Sequence, residues 1–254
     1  MALVRNSIPI LEYDDAQQAV IMPNRKNICS FPSKAVFPFL FDETERFAAA
    51  NGGEKIGEFI SITKKYPIYK VLYKGHEICL CQAPAGSAAA VQILEFLIGY
   101  GVKEVISAGT CGALADLPEN KLLIPTEALR DEGTSYHYLP PARTVEINKE
   151  AVSAIARAFE KQAMEYELCK TWTTDAFYRE TADMVRHRKA EGCTVVEMEC
   201  SALAACAEFR HIVFGQILFT ADSLANVEAH DERNWGAASF PAALSLALDA
   251  VCEI

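Results

Sequence analysis

The sequence predicts an α/β fold in a single domain, and three observations support that class. The chain has 254 residues, 51% of them hydrophobic and 23% charged, which is enough apolar material for one sizeable core. Residues 77–107 follow the order strand, small-residue loop, helix, strand, which is typical of a βαβ unit. No internal repeat, low-complexity tract or convincing linker divides the chain. Residues 1–254 are therefore treated as one domain.

The part before the βαβ unit is predicted to be irregular at first and then a meander of strands. Four prolines punctuate residues 1–40, which disfavours helix there. Asp42 can cap a short helix that stops at Gly52 and Gly53. Strands are predicted at residues 56–62, 68–73 and 77–81, the last two joined by a turn at 74–76.

The βαβ unit marks two loops as candidate ligand contacts. Ser87 can cap its helix, which ends at Gly101, and a short buried strand at 104–107 follows. The loops are residues 83–87, before the helix, and residues 108–114, which read A-G-T-C-G-A-L after the strand. Helix N-termini and the carboxyl ends of parallel strands are where anions and other ligands collect.

Strand and helix signals continue through the rest of the chain. The predicted strands are residues 122–126, 168–174, 195–196 and 212–220, and the predicted helices are residues 149–162, 181–191, 200–209 and 237–251. Asn148 caps the first of these helices. Two polar stretches, 130–139 and 224–236, are predicted as loops.

The segment V-V-E-M-E-C-S, residues 195–201, places two carboxylates between a buried strand and an Ala/Leu-rich helix. If the backbone is still extended there, Glu197 and Glu199 face the same side and can point into one cavity. Solvated surface acids are the alternative. The apolar neighbours argue against that alternative, because a buried carboxylate needs a ligand or a hydrogen-bond donor.

Polar residues also follow three other predicted strands. Gly109 and Thr110 follow the first, residues 175–179 the second, and Asp222 with Ser223 the third. Parallel sheets gather their ligands at such strand ends. Together with the two glutamates, these ends predict one small-molecule site.

Composition excludes several other classes of function. A net charge of -10 would repel nucleic acid and anionic membranes. The nine cysteines are scattered, odd in number and without zinc-ligand spacing, so we expect reduced thiols and no metal. With neither a leader peptide nor a membrane-spanning run, the chain is expected to be cytoplasmic.

Four of these features together resemble one known family. E-M-E before an Ala-rich helix, the loop A-G-T-C-G-A-L, the segment T-D-A-F-Y and Asp222 are similar to the nucleoside phosphorylase family. That family includes uridine phosphorylase, hexameric bacterial purine nucleoside phosphorylase and the adenosylhomocysteine/methylthioadenosine nucleosidases. The resemblance covers residues 82–222. It implies a mixed central sheet flanked by helices in a single domain, a homodimer or hexamer, and no metal or organic cofactor.

The resemblance implies roles for the ribose and base contacts. Glu199 would accept hydrogen bonds from the ribose hydroxyls and stabilise an oxocarbenium-like sugar. Met198 would pack on the sugar, and Glu197 would contact either the ribose or the base. Phe177 would stack on the base unless it is a core aromatic. The resemblance also implies that Asp175, Tyr178 or Arg179 lies at the rim of the base pocket.

Asp222 is the residue that the resemblance marks most sharply. In purine-cleaving members, an aspartate at this distance after E-M-E protonates the base. A general acid of this kind needs a carboxyl group with a raised pKa. An aspartate that caps a helix is the alternative. The segment that contacts the pyrimidine in uridine phosphorylase is not clearly matched in this sequence, so a purine is the favoured base.

The phosphate side departs from the family. No G-D-P-x-R loop is found in the first seventy residues, and Ser107 stands where the family has an arginine before the glycine loop. Thr110, Gly109 and Ser87 could still bind phosphate as the co-substrate, with Arg25, Arg130 or a neighbouring subunit's arginine supplying charge. Phosphorolysis is the leading hypothesis. Hydrolysis by water, or nucleoside binding without turnover, are the alternatives.

Overall fold

The structure is a computed structural model that describes residues 3–24 and 30–254. Arg25, one of the candidates for the phosphate contact, lies outside the described residues. The strands of the described part are β1 (Lys34–Val36), β2 (Glu54–Ile60), β3 (Lys65–Tyr73), β4 (His76–Cys81), β5 (Glu104–Ala113), β6 (Leu122–Asp131), β7 (Thr144–Glu146), β8 (Tyr166–Thr174), β9 (Val195–Glu197) and β10 (Val213–Ser223). The helices are α1 (Glu43–Ala50), α2 (Ser87–Gly99), α3 (Lys149–Lys161), α4 (Ala182–Ala190), α5 (Cys200–Phe209) and α6 (Phe240–Cys252).

One mixed sheet connects these strands, and half of it closes on itself. β10 pairs with β5 in parallel and with β6 antiparallel, and pairing continues from β6 through β8 and β9 back to β5. Five strands therefore form a ring. From β5 the sheet extends outward through β1, β4, β3 and β2. The mixed sheet flanked by helices that the resemblance implied is confirmed.

Helices cover the sheet on two sides and bury its apolar residues. α2 and α5 pack together in one core cluster, whereas α3 and α6 pack together in another. Every residue of α5 except Glu208 is buried, as its Ala-rich sequence allows, because small side chains let a helix approach its neighbours closely. Within the described residues, no helix is long and apolar enough to cross a membrane.

Several predicted boundaries were wrong. The glycine loop at 108–114 is mostly strand, because β10 continues the parallel ladder alongside β5 as far as Cys111. Strands and loops were expected in residues 1–40, but the bounds of β1 were not predicted and β7 was missed, since three residues carry too little periodicity to be recognised.

Two predicted caps were also wrong, and one was confirmed. Ser87 donates its hydroxyl hydrogen to the carbonyl of Met198 at 2.6 Å instead of capping α2. Asp42 precedes α1 without a capping bond and pairs with Arg46. Asn148 caps α3 as expected, accepting from the amides of the second and third helical residues.

Candidate active site

A cavity of about 340 Å³ lies where β5, β9 and β10 meet. β5 and β10 are parallel neighbours, and β9 runs antiparallel to the end of β5, pairing Val196 with Gly112. The closed ring thus brings together the ends of strands that point in opposite directions. Residues from all four polar strand ends line this cavity, namely Gly109, Thr110, Phe177, Glu197, Met198, Glu199 and Asp222.

Glu197 lines the cavity but its carboxylate is held by the protein. Oε2 accepts from the amides of Glu199 at 2.7 Å and Cys200 at 2.6 Å, which are free because they begin α5. Oε1 accepts from the hydroxyls of Thr171 at 3.2 Å and Thr173 at 2.6 Å. Four donors leave this carboxylate little capacity for a ligand. Its predicted ribose contact stays a prediction.

Glu199 is buried two residues later with a different set of contacts. Its Oε1 accepts from the amide of Gly86 at 2.5 Å, where the loop before α2 turns with a φ of 94° that glycine tolerates. Burial, and then the neighbouring charge of Glu197, raise the pKa of Glu199 to about 8. Because the amide of Gly86 binds Oε1, the carboxyl group of Glu199 has acceptor capacity left for a ligand in the cavity.

Asp222 lines the same cavity near the end of β10 and is 4% exposed. Its Oδ2 lies 2.7 Å from Nε2 of His230. Gly112 lets the strands approach here, because a Cβ at that position would meet Leu224 at 2.9 Å and Oδ1 of Asp222 at 3.2 Å. The glycine of the predicted loop thus makes room for the aspartate.

A fourth acid, Glu180, lines the cavity near Asp222. Burial, and then the charge of Asp222, raise the pKa of Glu180 to about 7, while His230 acts in the opposite direction. Phe177 and Trp235 line the cavity beside it. Two carboxyl groups and two aromatic rings therefore line this part of the cavity, and the imidazole of His230 contacts Asp222.

The side predicted for the nucleophile is polar but carries no positive charge. Among the described residues that line the cavity there is no lysine or arginine. Gln216, which lines the cavity, pairs across the strands with Ser107, and both Gln216 Oε1 and Ser107 Oγ are buried without a hydrogen-bond partner among the described residues. Arg130 donates instead to Ser135 and to the carbonyls at 139 and 140.

The predicted site residues that are not among the described residues lining the cavity are Ser87, Asp175, Tyr178 and Arg179. Ser87 is turned toward Met198, Asp175 accepts from the amide of Gly133 at 2.8 Å, and Arg179 is exposed. Residues that sequence reasoning missed are Phe39, Phe41, Glu180, Gln216, His230 and Trp235. His230 and Trp235 lie in a stretch read only as a polar loop, and no local pattern signals them.

A family model described as Phosphorylase superfamily matches residues 37–253. The chain therefore belongs to the phosphorylase superfamily.

Among its relatives, guanosine phosphorylase of Halorubrum lacusprofundi is 27% identical over 161 residues, which cover 63% of this chain and 67% of that protein. The DeoD-type purine nucleoside phosphorylase of Bacillus cereus is 27% identical over 190 residues, covering 71% and 78%. The crystal structure of uridine phosphorylase from Vibrio fischeri superposes with a TM-score of 0.78 at 22% identity, covering 92% of this chain and 99% of that one. At this identity the superposition supports the fold.

Proposed function

We propose that the chain cleaves the N-glycosidic bond of a purine nucleoside by phosphorolysis, yielding the free base and ribose 1-phosphate. The observation that carries this proposal is that Glu199, at the start of α5, and Asp222, near the end of β10, line one cavity. One carboxyl can hold a sugar while the other faces its base. The named relatives, a guanosine phosphorylase and a purine nucleoside phosphorylase, act on the same class of substrate.

In the proposed reaction, each of these residues acts on one part of the nucleoside. Once Glu199 has released the proton that its raised pKa retains up to about pH 8, its carboxylate accepts hydrogen bonds from the ribose hydroxyls and stabilises the positive charge that develops on the sugar. A phosphate oxygen attacks the anomeric carbon as the bond to N9 breaks. The bonding pair moves into the base, and Asp222 delivers a proton to N7 of the same imidazole ring. His230, at 2.7 Å from Asp222, is placed to restore that proton.

Glu197 acts in this proposal as a positioning residue for Glu199. Its hydrogen bond to the amide of Glu199 at 2.7 Å holds the start of α5 against β8 and β9. The backbone of Glu199 is therefore fixed before any substrate binds. Met198 and Phe177 supply apolar contact to the sugar and base.

Hydrolysis by water is the second candidate, favoured by one observation. The described residues that line the cavity include four acids and no cation, and a phosphate dianion there would meet like charge. For phosphorolysis, this repulsion would be offset by Thr110, by the backbone amide of Gly109 and by a charge supplied by a neighbouring subunit.

We propose a homodimer or hexamer, to be checked by the mass of the native particle in analytical ultracentrifugation.

The experiment that separates the candidates measures products with and without phosphate. The purified protein is incubated with inosine, guanosine, adenosine and uridine, and free base, ribose and ribose 1-phosphate are quantified. Purine release that requires phosphate and yields ribose 1-phosphate supports the proposal. Equal release of free ribose without phosphate establishes hydrolysis instead, and saturable binding with no release excludes both.

A Thr110→Val variant adds a test of the nucleophile side. Loss of one hydrogen bond is expected to raise the KM for phosphate about tenfold while leaving the KM for the nucleoside unchanged. Thr144→Val, in β7 and away from the cavity, is the matched control. A change in nucleoside KM alone would remove Thr110 from the phosphate site.

A further inference from the structure

A second chamber of about 460 Å³ adjoins the cavity on the side of Asp222. The two spaces share the residues Phe177, Glu180, Asp222, Leu224 and Trp235. Met198 and Glu199 line only the first space. The chamber therefore continues from the base end of the site, away from the sugar end.

Seven of the twelve described residues that line the second chamber are apolar or aromatic, and the other five are Glu180, Asp222, Asn226, His230 and Glu232. Val185 is fully buried in a core cluster against which Leu224 and Val227 pack. Ala182, at the start of α4, completes this wall. The side chains behind the chamber thus hold its shape without a ligand.

Aromatic rings stand exposed at the mouth of the chamber. Tyr178 is 93% exposed, Trp235 44% and Phe177 39%. The Phe177 and Tyr178 rings contact each other with centroids 5.0 Å apart, and Trp235 lies beside His230 on the loop after β10. Large exposed rings around a concave apolar space are typical of ligand-binding surfaces.

The chemistry of a purine relates this chamber to a definite part of the substrate. N7 and the substituent at position 6 lie on the same edge of the base. If Asp222 delivers its proton to N7, that edge faces the wall which the two spaces share. A group attached at position 6 then extends past Asp222 and Glu180 into the second chamber.

We propose that the second chamber is a subsite for a bulky apolar group at position 6 of the purine, so that the substrate class includes 6-substituted purine nucleosides. This inference rests on the proposed function, because it uses the orientation that Asp222 imposes on the base. The rings at the mouth would pack on the substituent, while Val185, Val227 and Ala182 would surround its end.

The test compares parent nucleosides with their benzyl derivatives. We expect the protein to cleave N6-benzyladenosine, or O6-benzylinosine if inosine is the better parent, with a kcat/KM within about tenfold of that of the parent. Val227→Trp and Ala182→Phe fill the chamber from two separate elements. Each variant should lower kcat/KM for the benzyl derivative about tenfold or more, because the benzyl ring is no longer buried. The kcat/KM for the parent nucleoside should not change. Val20→Trp, at a fully exposed position, is the matched control.

Two results would overturn the subsite. One is that the parent is cleaved and the benzyl derivative is not. The other is that the filling variants affect both substrates equally. If no parent nucleoside is cleaved, the proposed function itself fails. The subsite is then tested by calorimetry, which compares the binding of 6-benzylaminopurine with the binding of adenine. If the two filling variants weaken the binding of 6-benzylaminopurine but not that of adenine, the subsite is supported. If they weaken the binding of both compounds equally, or if 6-benzylaminopurine does not bind, the subsite is rejected.

Discussion

Glu197 and Glu199 are two residues apart, yet their surroundings give them different tasks. Both are buried, at 6% and 7% exposure, and burial raises the pKa of both. The difference lies in their donors, since Glu197 accepts four hydrogen bonds from the protein. Glu199 accepts the bond from Gly86 on one oxygen. The second acid is therefore the one available to a sugar.

Asp222→Asn is expected to abolish proton delivery while preserving shape. We expect kcat for the purine nucleoside to fall at least about 100-fold, with the dissociation constant changing by less than about threefold. Steady-state kinetics and calorimetric binding of the same nucleoside provide the two measurements. Asp183→Asn, at an exposed position on α4, is the control. Equal turnover by Asp222→Asn would remove Asp222 from the acid role.

The raised pKa of Glu199 makes stability depend on pH. The folded protein holds a proton on this carboxyl between its ordinary value of 4.5 and about 8, where the unfolded chain has released it. The free energy of unfolding must therefore fall as pH rises through this window, with a limiting slope of about 1.4 kcal/mol per pH unit from this group.

Glu199→Gln removes that proton uptake. Urea unfolding of both proteins between about pH 5 and pH 8 should show the variant gaining stability relative to the wild type as pH rises. Glu180 titrates in both proteins, whereas Glu197 loses the neighbouring charge of Glu199 in the variant, so the difference reports on this pair of acids. Stability curves that run parallel across this window would contradict a raised pKa.

At the scale of elements, the start of α5 is the structure that organises the site. The carboxylate of Glu197 binds the first free amides of the helix and ties them to the hydroxyls of β8. Ser201 extends this network, because its amide binds Thr173 at 3.0 Å and its hydroxyl binds Glu132 at 2.8 Å. A change at Glu197 therefore disturbs a strand and a helix at once.

Glu197→Ala should destabilise the fold by at least about 2 kcal/mol, since buried amides lose their acceptor. Glu197→Gln should recover most of this loss, because its carbonyl can still accept from the amides while the threonine hydroxyls reverse and accept from its NH₂ group. Urea denaturation measures both variants. Glu208→Ala, at the exposed position of α5, is the control, and similar losses for all three would refute this role of Glu197.

At the scale of the molecule, the packed core buries thiols as well as the site. Buried cysteines in the described part of the chain that form no disulfide include Cys81, Cys111, Cys169, Cys193, Cys200 and Cys206. Burial raises the pKa of each of them. A thiol that stays protonated and inaccessible is a poor nucleophile.

These six thiols should react with a disulfide reagent such as DTNB only after unfolding. The native protein is expected to show modification of Cys252 before any of the six, because Cys252 is partly exposed although burial raises its pKa as well. Mass spectrometry of the labelled peptides before and after denaturation identifies the reacting residues. Rapid labelling of Cys111 or Cys200 in the native state would mean that the ring opens readily.

Local patterns predicted most of the elements and one side of the site. The Ala-rich run at 200–209 and the Asn148 cap follow from propensities that act within a few residues. The same locality explains the errors: Ser87 has the chemistry of a cap, but the carbonyl of Met198, far along the chain, takes its hydroxyl. The glycine loop became strand because β10 pairs alongside it.

The sequence by itself determined the α/β class, the buried pair of acids before α5 and the family to which the chain belongs, because these depend on residues close together in the chain. Only the tertiary structure decided which of the two acids is free. Tertiary structure also decided that His230, Glu180 and Trp235 lie beside Asp222, and that a second chamber adjoins the site. The physical reason is that strand pairing between distant segments closes the ring. Hydrogen-bond partners and cavity walls exist only once it has closed.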